Sequence, residues 1–96
     1  MRKRKATAAE RAHLDAVAQL PCLICGAWPV ELHHLRTGQG MGQRASHFEV
    51  LPLCPYHHRY GGFGVAIHGG TQEFQRNYGS ETELLARVLA LLEAAS

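Results

Sequence analysis

A chain of 96 residues with a formal net charge of +2 has room for one domain, with a core that is small for its surface. No apolar run is long enough to cross a membrane, and the basic start Met1-Arg2-Lys3-Arg4-Lys5 leads into a charged segment, not the apolar stretch of a secretion signal. The three cysteines cannot all pair with one another, so the chain reads as cytoplasmic, with reduced thiols available to a metal. Residues 1–6 form a basic tail and 7–96 a single domain. The tail is a weak footprint of nucleic-acid binding and equally fits a solubilising extension.

In chain order, Thr7-Ala8-Ala9-Glu10 is a capping box with Thr7 as N-cap and Glu10 at N3. It predicts a helix with Leu14, Val17, Ala18 and Leu20 on one face, ended by Pro21. His13 in that helix reads as a surface or packing residue. Residues 22–29 read as a tight turn punctuated by Gly26 and Pro29. Trp28 in that turn is expected in the core or as a lid over metal. Residues 30–35 predict a short strand in which Val30, Leu32 and His34 alternate with Glu31, His33 and Leu35. Residues 36–47 form a glycine-rich polar loop without a Walker lysine. Residues 48–53 predict a second strand, broken near Pro52.

Pro55 suits the first turn of a short helix that carries His57 and His58 and ends at Gly61-Gly62-Phe63-Gly64. Thr71 and Gly79 bracket another helix containing Phe74 and Tyr78. Ser80-Glu81-Thr82-Glu83 is a second capping box. It opens a C-terminal helix whose Leu84, Leu85, Val88, Leu91 and Leu92 make an apolar stripe for the core, a dimer face being the lesser alternative. The expected fold class is α+β, with an N-terminal helix, two short strands and two C-terminal helices.

Cys22-Leu23-Ile24-Cys25-Gly26 has the form of a zinc knuckle. Two intervening residues let both sulfurs face one tetrahedral ion, and glycine lets the backbone turn back. Cys54-Pro55-Tyr56-His57 offers a second pair at the same spacing. Together, Cys22, Cys25, Cys54 and His57 make a Cys3His set for a structural Zn²⁺. A redox role for Cys22 and Cys25 lacks the surrounding βαβ pattern, and a disulfide between them would leave Cys54 odd. His33, His34, His47, His58 and His68 then remain. His33 and His34 fall on opposite faces of a regular strand, so one can hold a metal while the other handles a proton. His58 directly follows a zinc ligand, which fixes its position.

Cys22-x-x-Cys25, then His33-His34 on a strand, then Leu53-Cys54-x-x-His57-His58 resembles the HNH endonucleases of the ββα-metal fold. Downstream, the run from Pro52 through Gly64-x-Ala66-Ile67-His68, Phe74, Tyr78-Gly79 and Glu83-Leu84-Leu85 is similar to the phage recombination-enhancement (Ref) nucleases. Those enzymes cut DNA in dependence on the host recombinase filament. The resemblance spans roughly residues 20–92 and implies a zinc-braced ββα-metal core, encoded by a phage or mobile element. It implies His34 as general base, and imidazole titrates close enough to neutrality for that task. His33 and His58 match catalytic-metal ligands, and His68 matches a histidine of the recombination-enhancement group, as a further ligand or phosphate contact. The ion implied is Mg²⁺ or another divalent ion such as Mn²⁺, and imidazole ligands favour the softer ions in affinity. The middle asparagine of the HNH pattern has no match; His47 and Glu49 stand nearest its place. Arg36, Arg44 and Arg59 flank the site and suit backbone phosphates, giving DNA binding of little sequence specificity. A non-catalytic zinc module that binds nucleic acid or protein needs only the Cys3His set and has no use for His33, His34 and His58 together. A zinc-stabilised adaptor with a decayed site is the third reading.

Overall fold

The structure, a computed structural model, describes residues 5–36 and 46–95. Arg2, Lys3 and Arg4 of the tail, Arg44 and most of the glycine-rich loop lie outside the described residues. The rest is a small α+β unit: helix α1 (Ala8–Ala18), strands β1 (Glu31–His34) and β2 (Val50–Leu53), and helices α2 (Thr71–Tyr78) and α3 (Glu81–Ala95). Among the described residues, no helix is long and apolar enough to cross a membrane.

Helix α1 begins as its capping box dictates. Thr7 Oγ1 accepts the Glu10 amide at 3.1 Å, and Glu10 Oε1 accepts the Thr7 amide at 2.7 Å. The strands pair antiparallel, with His33 opposite Leu51 and His34 opposite Val50. Both are shorter than the alternation predicts. Residues 46–49 form a turn, closed by the Glu49 amide on the Ser46 carbonyl at 2.9 Å, so β2 starts only at Val50.

Pro52 does not break β2; it sits inside the strand opposite Leu32. Its carbonyl accepts from the Leu23 amide at 3.1 Å, away from β1. Within a strand residue the N–H and C=O point the same way, so the donor that proline lacks faces that outer edge and the ladder to β1 loses nothing. All four β2 residues are buried, because α1 and α3 both pack on this strand. The core gathers Val17 of α1, Val50, Leu51 and Leu53 of β2, Ile67, Phe74 of α2, and Leu84 and Val88 of α3. Leu85 and Leu92 pack at its margin. Leu91, placed in the stripe by periodicity, is 42% exposed instead.

Trp28 is a second departure. It is 62% exposed and donates its indole N–H to the Ala18 carbonyl at the end of α1, at 3.2 Å, so it is not a core residue. His13 is a packing residue, edge-on to the Phe48 ring at 5.3 Å between centroids.

After Pro55, residues Tyr56–Tyr60 form one wide π-helical turn, closed by the Gly61 amide on the Tyr56 carbonyl at 2.8 Å. A short 3₁₀ turn at Ile67–Gly69 packs against it. Gly69 allows that approach: a Cβ there would lie 2.5 Å from the Gly62 carbonyl oxygen. This backbone contact brings His68 beside His58.

Candidate metal centres

Among the described residues, two groups of side chains converge closely enough to hold an ion. Cys22, Cys25, Cys54 and His57 form one, and His33, His58 and His68 the other; within each, the ligand atoms lie within 4.8 Å of one another.

The first knuckle is shaped by its own backbone. The Gly26 amide bonds the Cys22 carbonyl at 2.9 Å, with Gly26 at φ 78°, a conformation that favours glycine. The Ile24 amide donates to Cys22 Sγ at 3.4 Å. Burial pushes the Cys22 thiol pKa up, but hydrogen bonds from the amides of Cys54, Cys25 and Ile24 outweigh it and pull the pKa below the usual thiol value. For Cys25 the Ala27 amide pulls down, while burial and the neighbouring Cys54 and Cys22 thiols push the net value up. Burial lowers the pKa of His57 and so favours its neutral, ligating form.

The spacings test the fit to zinc. A tetrahedral ion with bonds of about 2.3 Å to sulfur and 2.05 Å to nitrogen sets S···S edges near 3.8 Å and S···N edges near 3.6 Å. Here Cys25 Sγ and Cys54 Sγ are 3.7 Å apart. His57 Nδ1 lies 3.4 Å from Cys54 Sγ and 3.9 Å from Cys22 Sγ. These are tetrahedron edges, and all three thiols are free of disulfide bonds. The Cys3His cluster fits a metal such as zinc.

The second group draws its histidines from β1, the π turn and the 3₁₀ turn. His58 Nε2 and His68 Nε2 are 3.0 Å apart. Two nitrogens about 2.1 Å from one ion at a right angle would stand about 3.0 Å apart, so this pair fits adjacent ligand positions. The His33 ring lies edge-on to both, with centroids 5.4 Å from His58 and 5.1 Å from His68. Burial first, then the charges of His58, His33 and Arg36, lower the His68 pKa and favour the neutral ring.

Two carboxylates that spacing did not single out hold this group. Glu31 Oε1 accepts from His58 Nδ1 at 2.7 Å. Arg59 grips the same carboxylate, Nε to Oε1 at 2.8 Å and Nη2 to Oε2 at 2.6 Å. Arg59 above all, then His58, pulls the Glu31 pKa down to about 2. Glu81, fully buried at the start of α3, meets His33 Nε2 through Oε2 at 2.7 Å. Its Oε1 accepts the Arg36 amide at 2.9 Å. Strand alternation held the signal for Glu31, since it shares a face of β1 with His33. Glu81 carried no such signal, because its position reads as part of a helix cap.

His34 stands apart from this cluster. Its Nε2 lies 3.0 Å from His47 Nδ1, whereas Glu49 turns to the Ser46 amide at 3.3 Å. Of the two residues nearest the missing asparagine, His47 is therefore the one bonded to His34. Arg36 is exposed, with its charge close to His68. Arg59, expected on phosphate, spends its guanidinium on Glu31 and on the Tyr60 hydroxyl. It lies over the Tyr60 ring at 4.5 Å. Arg44 lies outside the described residues.

Residues 6–93 match the family model described as recombination enhancement, RecA-dependent nuclease, and the chain belongs to that family. It is also similar to an uncharacterized protein of Escherichia coli (strain K12), YdfU, with 41% identity over 71 residues. That match covers 72% of this chain and 19% of YdfU, so the chain spans about a fifth of the length of this curated relative.

Proposed function

We propose that this chain is a metal-dependent DNA endonuclease of HNH type, acting in recombination. β1, β2 and the π turn would form its ββα-metal core. The observation that carries this reading is the convergence of His33, His58 and His68 from three separate segments beside a distinct Cys3His cluster. A structural zinc module needs only the second of these. In this reading Cys22, Cys25, Cys54 and His57 hold a structural Zn²⁺. His33, His58 and His68 hold Mg²⁺ or another divalent ion such as Mn²⁺, which when bound supplies positive charge that stabilises the oxygen leaving phosphorus.

The chain's own residues handle the rest. His34 takes the proton of the attacking water as its oxygen bonds to phosphorus and the P–O bond to the leaving 3′ oxygen breaks. His47, bonded to His34, orients it in place of the usual asparagine. Arg36 meets a backbone phosphate beside His68, a contact that carries no sequence information. DNA is the substrate, and the family description favours a RecA filament as partner.

Nicking of supercoiled plasmid with Mg²⁺ or Mn²⁺, alone and with a RecA filament on DNA, tests the reading. Wild type is expected to cut and His34→Ala to lose the activity. Plasmid left intact by wild type under both conditions sinks the enzyme and leaves the non-catalytic zinc module. Normal cutting by His34→Ala removes only the role given to His34.

A further inference from the structure

A neutral imidazole can offer a metal only the nitrogen that carries no hydrogen, and the partner of the other nitrogen decides which one that is. Glu31 meets His58 at Nδ1, 2.7 Å away. An ionised carboxylate only accepts, so Nδ1 carries the hydrogen and the lone pair lies at Nε2. That is the nitrogen turned to His68 Nε2 at 3.0 Å. Glu31 is itself fixed by the two-pronged grip of Arg59. It lies two residues before His33 on β1, so one face of one strand supplies both a ligand of the group and the clamp on its neighbour.

Glu81 stands in a similar relation to His33. One oxygen takes the ring's Nε2 and the other takes the Arg36 amide. A carboxylate with no exposed surface is costly to bury unless its hydrogen bonds are met, and these two bonds, with its place at a helix N-terminus, meet that need. The two carboxylates approach the histidine group from different directions, one along β1 and one from the first turn of α3.

We propose that Glu31 and Glu81 are positioning residues for the divalent ion. They hold His58 and His33 from behind and fix the nitrogen each ring presents, so the site is assembled before an ion arrives. The proposal rests on the reading that His33, His58 and His68 bind that ion. It adds Arg59 to the site as the anchor of Glu31 rather than as a phosphate clamp.

The test is calorimetric titration of Mn²⁺ into protein whose Cys3His site already holds zinc, with the visible spectrum of a Co²⁺-loaded sample as a second readout. Glu31→Ala should bind Mn²⁺ about 10- to 100-fold more weakly, the usual loss when a ligand's hydrogen-bond partner is removed. It should also alter the Co²⁺ spectrum. Glu31→Gln should recover most of that affinity, because its amide oxygen still accepts from His58. Glu81→Gln leaves one acceptor for two donors and should weaken binding about tenfold. Zinc content should stay at wild-type level in each variant. Folded Glu31→Ala and Glu81→Gln proteins that bind Mn²⁺ like wild type would overturn the role of the carboxylates alone. A wild type that takes up no ion beyond its zinc would overturn this proposal together with the metal-nuclease reading.

Discussion

The two candidate metal centres share a turn but are built by opposite means. Cys54 and His57 belong to one, and His58, the next residue, to the other. The Cys3His cluster is made of two short knuckles, with backbone amides bonding the sulfurs of Cys22 and Cys25, and Cys22, Cys54 and His57 in it are buried. The histidine cluster takes single residues from three segments, two of them bonded by the distant carboxylates Glu31 and Glu81. His68, at its edge, is exposed. A closed four-ligand set is the form of a structural ion, and a three-ligand set open on one side is the form of a reactive one. The contrast teaches that two metal-competent clusters of different form can be separated by a single peptide bond when a wide turn points successive side chains to different places.

The largest expected effect breaks the first centre. Structural zinc contributes about 10–16 kcal/mol to folding in small zinc peptides. Whole domains are stable by only about 5–15 kcal/mol. Chelation of the zinc, or Cys54→Ser, should therefore abolish the cooperative unfolding transition seen by circular dichroism. An unchanged melting curve after metal removal would show that the hydrophobic core suffices and that the first centre is no brace.

Breaking the second centre should leave the fold alone. On the proposed reading, His58→Ala removes a ligand of the reactive ion and several kcal/mol of charge stabilisation with it. DNA cleavage should fall on the order of 10³-fold. Zinc content and melting temperature should stay near wild type. Loss of zinc in this variant would mean that the two centres are one unit.

His34→Ala should cost about 10²- to 10⁴-fold in cleavage, the usual worth of a general base, with Mn²⁺ affinity retained. His47→Ala should cost less, because on the proposed reading it acts only through His34. Equal cleavage by His47→Ala and wild type would separate the His34–His47 bond from the chemistry.

How far these centres were legible in the sequence follows from how they are built. Cys22, Cys25, Cys54 and His57 announce themselves by spacing, since a knuckle is a local object. The alternation that split His33 from His34 is local too, and the strand shows that split in their different partners. Alternation put Glu31 on the His33 face of β1 but could not show that it bonds His58, 27 residues on, and Glu81, 48 residues from His33, leaves no periodic trace at all. Pro52 misled because propensity speaks of missing donors but not of which edge they face. Leu91 and Trp28 misled because apolar character alone does not say where the neighbouring elements stop. Arg59 was expected on phosphate, and its bond to Glu31 in another element leaves no trace in the sequence.

The smallest effect tests how firmly α3 seats Glu81. Ser80 Oγ accepts the Glu83 amide at 3.1 Å, and Glu83 Oε1 accepts the Ser80 amide at 2.9 Å. These bonds set the first turn of the helix, and Glu81 lies between the two capping residues. The Ser80 amide first, then its hydroxyl, lowers the Glu83 pKa below the usual carboxylate value. A pKa depressed in the folded state means stability that is present above the unfolded value and lost as pH falls through the folded one. The wild-type melting temperature should therefore decline on acidification below about pH 4.5, in part through Glu83. Glu83→Gln keeps an acceptor for the Ser80 amide but cannot titrate, so its acid decline should be shallower. Glu83→Ala loses the bond as well and should melt slightly lower at neutral pH. Because the loosened turn carries Glu81, Glu83→Ala should also weaken Mn²⁺ binding slightly while leaving zinc content unchanged. Equal Mn²⁺ affinity in Glu83→Ala and wild type would mean that the core contacts of Leu84 and Val88, and not the cap, hold Glu81 against His33.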